Sequence, residues 1–476
     1  MKKFSILLLV IFASVNLIHA QWSPDVRLTN IPAASLASYT RSTAIVANGN
    51  FVHVVWYDER DGNQEIYYKR SNDAGLSWGT DTRLTTNDSV SRQPAVAISD
   101  SNIHIVWDDT RDGNHEIYYK RSTDYGVNWG ADIRLTIDTS WSGHPGLTVS
   151  GSNVYVVWRD SRDGNTEIYY KHSSDGGIIW SNDYRITNDT ASSYNPSVLV
   201  SDSIVHIIWE DKRDGNQEIY YKRSTDGGLN WGPDIRVTNN SSVSNLPTSA
   251  VSGSYLYVVW NDSREGNLEI YYKLSIDAGI TWGADKRLTD QYGYSWWSSV
   301  AASANGAHIV WQDNLNGNEE IYYMCSKDNG VNWNDILLGN NNSTLSEYPS
   351  IALSDSIVHV IWSDKRDGPN GEIYYKRNPT GNISRIEDID IPKNYLTVYP
   401  NPASDHISIS FTNVGLSDVS ISIFNLLGIE IKRFNEKELF GKNTVDFSTK
   451  CFPSGVYYCT LNYGINKISR SFVVVR

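Results

Sequence analysis

Short runs rich in Val, Ile, Tyr and Trp alternate along most of this chain with gaps of Gly, Asp and Asn. Residues 94–144 show the pattern: PAVAIS, a Ser-Asp-Ser-Asn turn, IHIVWDD, an Arg-Asp-Gly-Asn turn, then HEIYYKRS, TDYGVNWG and ADIRLT. Runs of this length and composition between turn formers read as strands. Asp-Gly after such a run is a hairpin signal, because Gly takes positive φ without steric cost. No window of helical length carries a helical period. Four strands per unit predict a small antiparallel meander.

The unit repeats. Trp56, Trp107, Trp158, Trp209, Trp260, Trp311 and Trp362 stand 51 residues apart. One sheet of that size cannot bury its apolar faces alone, so the copies must stack. The E-I-Y-Y strand starts at Glu65, Glu116, Glu167, Glu218, Glu269, Glu320 and Glu372, but the fourth strand, W-x-x-D-x-R-L-T, is missing after Arg377. It stands instead at Trp22 to Thr29, so the N-terminus is expected to supply the outer strand of the last unit. Closure by sharing a blade is expected to remove what would otherwise be two unpaired edges. The expected fold class is all-β: a seven-bladed β-propeller over residues 21–378, followed by a small Ig-like β-sandwich.

Six units carry S-x-D-x-G-x-x-W between their third and fourth strands, from Ser71–Trp78 to Ser326–Trp333. This resembles the Asp-box (BNR) repeat of sialidases and of many non-sialidase propellers, over about Trp22 to Arg377. Asp73, Asp124, Asp175, Asp226, Asp277 and Asp328 are expected to accept hydrogen bonds from their own turns, with Trp capping the blade core. In that family the box lies opposite the ligand face, which would make these six aspartates structural.

Every unit also has an Asp two residues after its Trp (Asp58, Asp109, Asp160, Asp211, Asp262, Asp313, Asp364). Six add an Arg two further on, while the sixth unit has Leu315. The loop resembles a calcium loop, but the Arg would put a fixed cation where the metal sits. An Asp–Arg–Glu network clamping adjacent blades is expected instead, with no metal and no cofactor. The stretch also resembles the D-G-N-x-E-I-Y repeat of TolB-type propellers, which implies a scaffold. His53, His104, His206, His308 and His359 share one strand position with Tyr155 and Tyr257 and are expected to pack.

Positions that vary between units are the candidates for a ligand. Just before the innermost strand stand Arg41-Ser42, Arg92-Gln93, Gly143-His144, Tyr194-Asn195, Asn245-Leu246, Trp296-Trp297 and Glu347-Tyr348. After each repeat Trp come Tyr57, Asp108, Arg159, Glu210, Asn261, Gln312 and Ser363. Meander connectivity puts both sets on one face, around a central channel. Aromatics beside charged groups at a funnel mouth suit sugars; ordinary loop drift is the plainer alternative. The ligand candidates are therefore Arg41, Tyr57, Arg92, Asp108, Trp141, His144, Arg159, Tyr194, Glu210, Trp296, Trp297, Glu347 and Tyr348. Tyr292, Tyr294, Trp296 and Trp297 form the densest aromatic cluster on that face, which makes blade six the expected centre of the site.

A sialidase uses an arginine cluster, a Tyr–Glu nucleophile pair and an Asp acid. Arg41, Arg92, Arg159, Asp108, Tyr194 and Glu210 could be cast in those parts, but any ring of seven blades offers such a set. The Phe/Tyr-Arg-Ile-Pro motif is missing; Tyr184-Arg185-Ile186-Thr187 is only the outer-strand consensus. Sialidase rings also have six blades and long insertions, whereas this chain has almost none. No G-x-S-x-G, H-E-x-x-H or phosphate-binding Gly-Lys-Ser/Thr pattern occurs.

The first twenty residues read as a secretory signal: Lys2-Lys3, an apolar run from Phe4 to Leu17, and His19-Ala20 before Gln21. No later run reaches membrane length. The formal charge is −13, which argues against a nucleic-acid partner. Of three cysteines, Cys325 replaces the usual Lys or Arg of its strand and is expected at the surface; Cys451 and Cys459 are either bridged or free.

After a linker at 379–395, residues 396–476 read as about seven strands of a sandwich. Tyr399-Pro400-Asn401-Pro402, Pro453 to Tyr458 and the Phe472–Arg476 end resemble the type A C-terminal sorting domain of the type IX secretion system. That resemblance implies a Bacteroidetes-type bacterium, contact with the secretion machinery, passage across the outer membrane, and release or surface anchoring. The expected protein is a monomeric, secreted or surface-held propeller that binds a glycan or a protein without catalysis. A sialidase-type glycoside hydrolase and an adhesion module without a small ligand are the alternatives.

Overall fold

The structure, a computed structural model, describes residues 22–31, 33–37, 43–290, 293–304, 306–315, 317–338, 344–381, 396–413, 419–426, 428–436, 441–463 and 466–476. The signal segment, Arg41, Tyr292 and most of the expected linker lie outside them. The chain divides into two compact units, Met1–Ile383 and Ser384–Arg476, and its described regular elements are all strands.

The first unit is a ring of seven antiparallel sheets. In blade two, Ser91–Ser99, Asn102–Asp109, Glu116–Ser122 and Ile133–Arg134 lie side by side in chain order. Inner strands of successive blades pack together, and that of blade seven (Ser346–Ser354) packs on that of blade one (Ile45–Asn48), which shuts the circle. The outer strand of blade seven is Val26–Arg27, antiparallel to Glu372–Asn378 with Val26 opposite Tyr375. Ser23 and Leu28 extend the pairing by donating to Arg377 and Ile373 at 2.8 Å each.

Blade one departs from the repeat. Ser35–Leu36 and Ile45–Asn48 both pair with its second strand, Phe51–Asp58. Ser35 bonds Asp58 across 23 residues, where Ser91 bonds Asp109 across 18. The lead-in is thus longer here than the repeat implies, and Leu36 rather than Arg41 lies opposite Tyr57.

Neighbouring blades are joined by the box tryptophan, which packs edge-on against the second Tyr of the preceding blade's E-I-Y-Y strand. Trp129 meets Tyr68 at 4.9 Å, and Trp180, Trp231, Trp282 and Trp333 meet Tyr119, Tyr170, Tyr221 and Tyr272 at 5.0 to 5.2 Å. Trp78 meets Tyr375 at 4.9 Å across the ring closure, and Trp22 supplies the seventh contact, on Tyr323 at 4.9 Å. The box Trp therefore clasps two blades rather than capping one core. Each contact adds about 0.5–1.5 kcal/mol beyond its buried area. The box Gly is part of the fit, since a β-carbon on Gly126 (φ +77°) would lie 1.9 Å from the Tyr68 hydroxyl.

The box aspartates bond within their own turns. Asp73 accepts from Ser71 Oγ at 2.7 Å and from the Ser77 amide at 2.8 Å, and Ser71 Oγ accepts from the Gly75 amide at 2.8 Å. The same bonds hold Asp124, Asp175, Asp226, Asp277 and Asp328. Donors from Ser77 and Asn128 bring Asp73 and Asp124 down to about 2.

The Asp–Arg loop works inside one blade. Asp58 accepts from Trp56 Nε1 at 2.9 Å and from Arg60 Nε and Nη2 at 2.9 and 2.6 Å, while Arg60 reaches Asp81 at 2.7 Å and covers the Tyr67 ring at 4.2 Å. This rivets the strands of a single blade and corrects the expected clamp between blades. Burial opposes ionisation of Asp109, but the Arg111, Trp107 and Ser91 donors still hold it below the ordinary carboxylate range. In blade six, where Leu315 replaces the Arg, burial wins and Asp313 is raised.

The five strand histidines are buried and each bonds a Tyr hydroxyl of its own blade, as His206 Nδ1 does Tyr221 at 2.7 Å. Cys325 is buried, not at the surface, because it lies on the covered face of its strand opposite His308.

The second unit has two antiparallel sheets. One holds Leu396–Tyr399, His406–Asn413 and Gly441–Ser448; the other holds Glu430–Glu436, Val419–Asn425, Gly455–Tyr463 and Asn466–Val474. Ile407, Ile409, Ile421, Ile423, Tyr457 and Phe472 form the core. Cys451 is exposed and Cys459 is buried, both as free thiols.

Burial, aided by nearby Arg or Lys, pushes His53 and His359 down to about 3 and His104, His206 and His308 to about 4. The unfolded chain takes up these protons near 6.5, so folding stability is complete above that pH and falls as pH drops toward 4. Each histidine contributes about 1.4 kcal/mol per pH unit across this window. Denaturant unfolding from pH 7 to 4 should show this slope, and His104→Tyr with His206→Tyr should flatten it. An unchanged slope in the double variant would contradict the assignment.

Candidate functional site

In each meander the second-to-third and fourth-to-first connections emerge together, opposite the boxes. In blade three, Ser142 pairs with Asp160 and Asp160 with Glu167 on this face, while Ser150 pairs with Asn153 on the other. The two variable positions are direct cross-strand partners: Arg92 faces Asp108, Gly143 Arg159, Tyr194 Glu210, Trp296 Gln312 and Glu347 Ser363. The next residue in blades two to seven is a bulge with left-handed backbone. Gln93, His144, Asn195, Leu246, Trp297 and Tyr348 all have φ between 51° and 56°. Non-glycine residues held there cost about 1–3 kcal/mol each, and bulges beside functional sites re-aim side chains. The box face has its own left-handed residues, such as Ala74 and Tyr125, but on this rim all six stand in register beside the variable positions.

A third variable position joins them, the residue just before each E-I-Y-Y glutamate. His115 Nδ1 lies 3.4 Å from Asp108 Oδ2, Gln217 donates to Glu210, and Glu319 accepts from Gln312 Nε2 at 2.7 Å. The sequence reading missed this set, although its variation (Gln64, His115, Thr166, Gln217, Leu268, Glu319) was visible.

Blades two to four bring most of the candidates together. Asp108 is buried and held by Arg92 Nε at 3.3 Å and by His115. The Trp141 ring lies 5.8 Å from that of His115 and 5.6 Å from that of His144. Arg159 sits over Trp141 at 4.4 Å and reaches the Tyr194 ring at 5.9 Å, and Lys212 Nζ lies 4.8 Å from the same tyrosine. Glu210 is buried and accepts from Asn195 at 3.0 Å, from Gln217 and from the Leu246 amide at 3.3 Å. Burial, then Arg159, Arg92 and His115, push His144 down to about 3, so it stays neutral.

Gly143 makes room for this cluster. A β-carbon there would stand 2.4 Å from Trp141 Cζ2 and 3.1 Å from Asp108 Oδ2.

Blades six and seven form a second group. Trp297 packs edge-on to Tyr348 at 5.1 Å, Trp296 does so to Tyr294 at 6.1 Å, and Glu347 bonds Lys365 at 2.7 Å. Burial, and then the charge of Glu347, raise Glu319 to about 6. Trp297 and Tyr348 also line a central cavity of about 350 Å³ whose walls are the inner strands of all seven blades. Tyr57 is not on this surface: it is buried in the core between blades one and two.

Residues 397–475 match the family model described as "Secretion system C-terminal sorting domain". The chain is 26% identical over 213 residues to a sialidase of Bacteroides fragilis (strain YCH46), an alignment that covers 39% of this chain and 37% of that protein. A polysaccharide lyase of known structure superposes with a TM-score of 0.53 at 12% identity, covering 75% of this chain and 99% of that one. The NanB sialidase from Streptococcus pneumoniae gives 0.45 at 11% identity, covering 75% and 71%. The first unit thus has a β-propeller fold and is similar in part of its sequence to a sialidase, and the C-terminal unit is a sorting domain that directs export to the surface or beyond. Among the described residues no helix is long and apolar enough to cross a membrane.

Gly143→Ala should force Trp141 from its place and destabilise the protein by about 1–3 kcal/mol. Denaturant unfolding checks this against Gly62→Ala, where the added carbon meets nothing and only the backbone conformation is strained. Equal losses at the two sites would show that Trp141 is not seated on Gly143.

Proposed function

We propose that this exported propeller binds a glycan, without cutting it, on the face formed by blades two to four. The supporting observation is the Trp141–Arg159–Tyr194 stack. Flat aromatic faces flanked by hydrogen-bonding cations suit the apolar faces and hydroxyls of sugar rings. The carboxylates best placed for chemistry there, Asp108 and Glu210, are buried, Asp108 with one oxygen on Arg92 and Glu210 with donors from Asn195 and Gln217. They act as props for the neighbouring side chains.

A hydrolase is the second reading, favoured by Glu319. A carboxyl raised to about 6 can hold a proton near neutral pH, as a general acid must.

A glycan array probed with the whole exported chain tests the main reading. Binding should appear and should weaken tenfold or more in Trp141→Ala, about 1.4 kcal/mol or above. Binding lost instead only in Trp296→Ala/Trp297→Ala would move the site to blade six. Release of sugar from chromogenic glycosides, abolished by Glu319→Gln, would replace the binding reading with the hydrolase.

A further inference from the structure

The side chains on blades two to four alternate in kind around the rim. Arg92 stands on blade two, held against Asp108. Trp141 follows, on the connection into blade three, with its ring over Gly143. Arg159 comes next, lying over Trp141 and reaching toward Tyr194 of blade four. Lys212, exposed, closes the series on the same Tyr194 ring. The order is cation, aromatic, cation, aromatic, cation.

That order is notable on a chain whose formal charge is −13. Within the arc Asp108 is paired with Arg92 at 3.3 Å, while Glu210 is buried beneath the rim and accepts hydrogen bonds from the Asn195 and Gln217 amides, which hold it inward but carry no charge to offset it. The exposed loop acids of blades two to four, Asp112, Asp163 and Asp214, are each paired with an outer-strand Arg at 3.2 to 3.4 Å, whereas on blades six and seven the half-buried Glu319 and Glu347 share Lys365 and Gln312 between them. An anion approaching the funnel is drawn to one half and repelled from the other. A single terminal sugar would need one cation and one ring. Cations on three successive blades with rings between them fit a strand of sugars bearing repeated negative groups.

We propose that the arc Arg92–Trp141–Arg159–Tyr194–Lys212 is a binding track for a polyanionic polysaccharide, its sugar faces on Trp141 and Tyr194 and its charged substituents on the cations. The proposal rests on the glycan reading and narrows it to a chemical class. Carboxylate and sulfate share the recognition: both accept paired hydrogen bonds from guanidinium, and both release counterions when bound by cations.

Affinity electrophoresis or calorimetry of the whole chain with three polymers provides the test: polygalacturonate for carboxylate, dextran sulfate for sulfate ester, and uncharged dextran. Binding is expected to at least one polyanion and not to uncharged dextran, and affinity should fall steeply as salt rises. Which polyanion is retained identifies the substituent. Lys212→Gln, at an exposed position where folding is not at stake, should weaken binding several-fold, and Lys212→Arg should restore it. Arg159→Gln should weaken it further. Retention of dextran or another neutral glycan with no response to salt or to Lys212→Gln would overturn the polyanion track and leave the glycan reading standing. Failure to bind any glycan on the array or any of the three polymers would overturn both.

Discussion

Seven sheets of about fifty residues have only one another to bury against, and one aromatic contact carries that dependence around the ring. The box Trp of each blade packs edge-on against a tyrosine of the preceding blade, with a left-handed glycine letting the hydroxyl come close. Six of these contacts come from Asp-boxes. The seventh comes from Trp22, in a segment that has no box. Without it blade seven would lack both an outer strand and its hold on blade six, and the outer edge of Glu372–Asn378 would be unpaired. The same short segment therefore supplies hydrogen bonds to Glu372–Asn378 and the last aromatic clasp.

A ring fixed in this way separates two kinds of position. Box and loop aspartates are spent on local bonding: the boxes within their turns, and the Asp–Arg pairs within single blades. The opposite rim is free to differ from blade to blade, because its three variable positions bond to one another within a blade and otherwise only to the rim residues of the next, as Glu210 does to the Leu246 amide and Gln312 to the Tyr348 amide. Its bulged residues hold a left-handed backbone in six blades, whatever the side chain, so each blade presents its variable residue in the same attitude. Chemistry can change from one blade to the next without altering the scaffold. Blades two to four have become cationic and aromatic, and blades six and seven acidic and aromatic.

Much of the fold was legible because it is periodic. The Trp spacing, the seven E-I-Y-Y strands and the displaced outer strand at the N-terminus each had a counterpart in the structure. The failures lie where the period says nothing. Blade one keeps its Trp in step but lengthens the chain before its inner strand, so Arg41 was aligned with a position that Leu36 fills. The Asp–Arg network was placed between blades because spacing alone does not say which of two neighbouring sheets a side chain reaches. Cys325 was assigned to the surface by analogy with Lys and Arg, although those long side chains only snorkel outward from a covered position. At the rim, the set containing Asp108, Arg159 and Glu210 was identified, but its burial was not. Nor was the partner set containing His115, Gln217 and Glu319 noticed, because it sits inside an otherwise constant motif.

Amide hydrogen exchange across residues 23–28 bears most directly on the closed circle. The account predicts that the Leu28 amide, donated to Ile373, exchanges as slowly as the amides of the Glu372–Asn378 strand beside it. Exchange at the rate of an unstructured chain would mean that this segment does not complete blade seven, and that the rim facing the ligand is not a continuous ring.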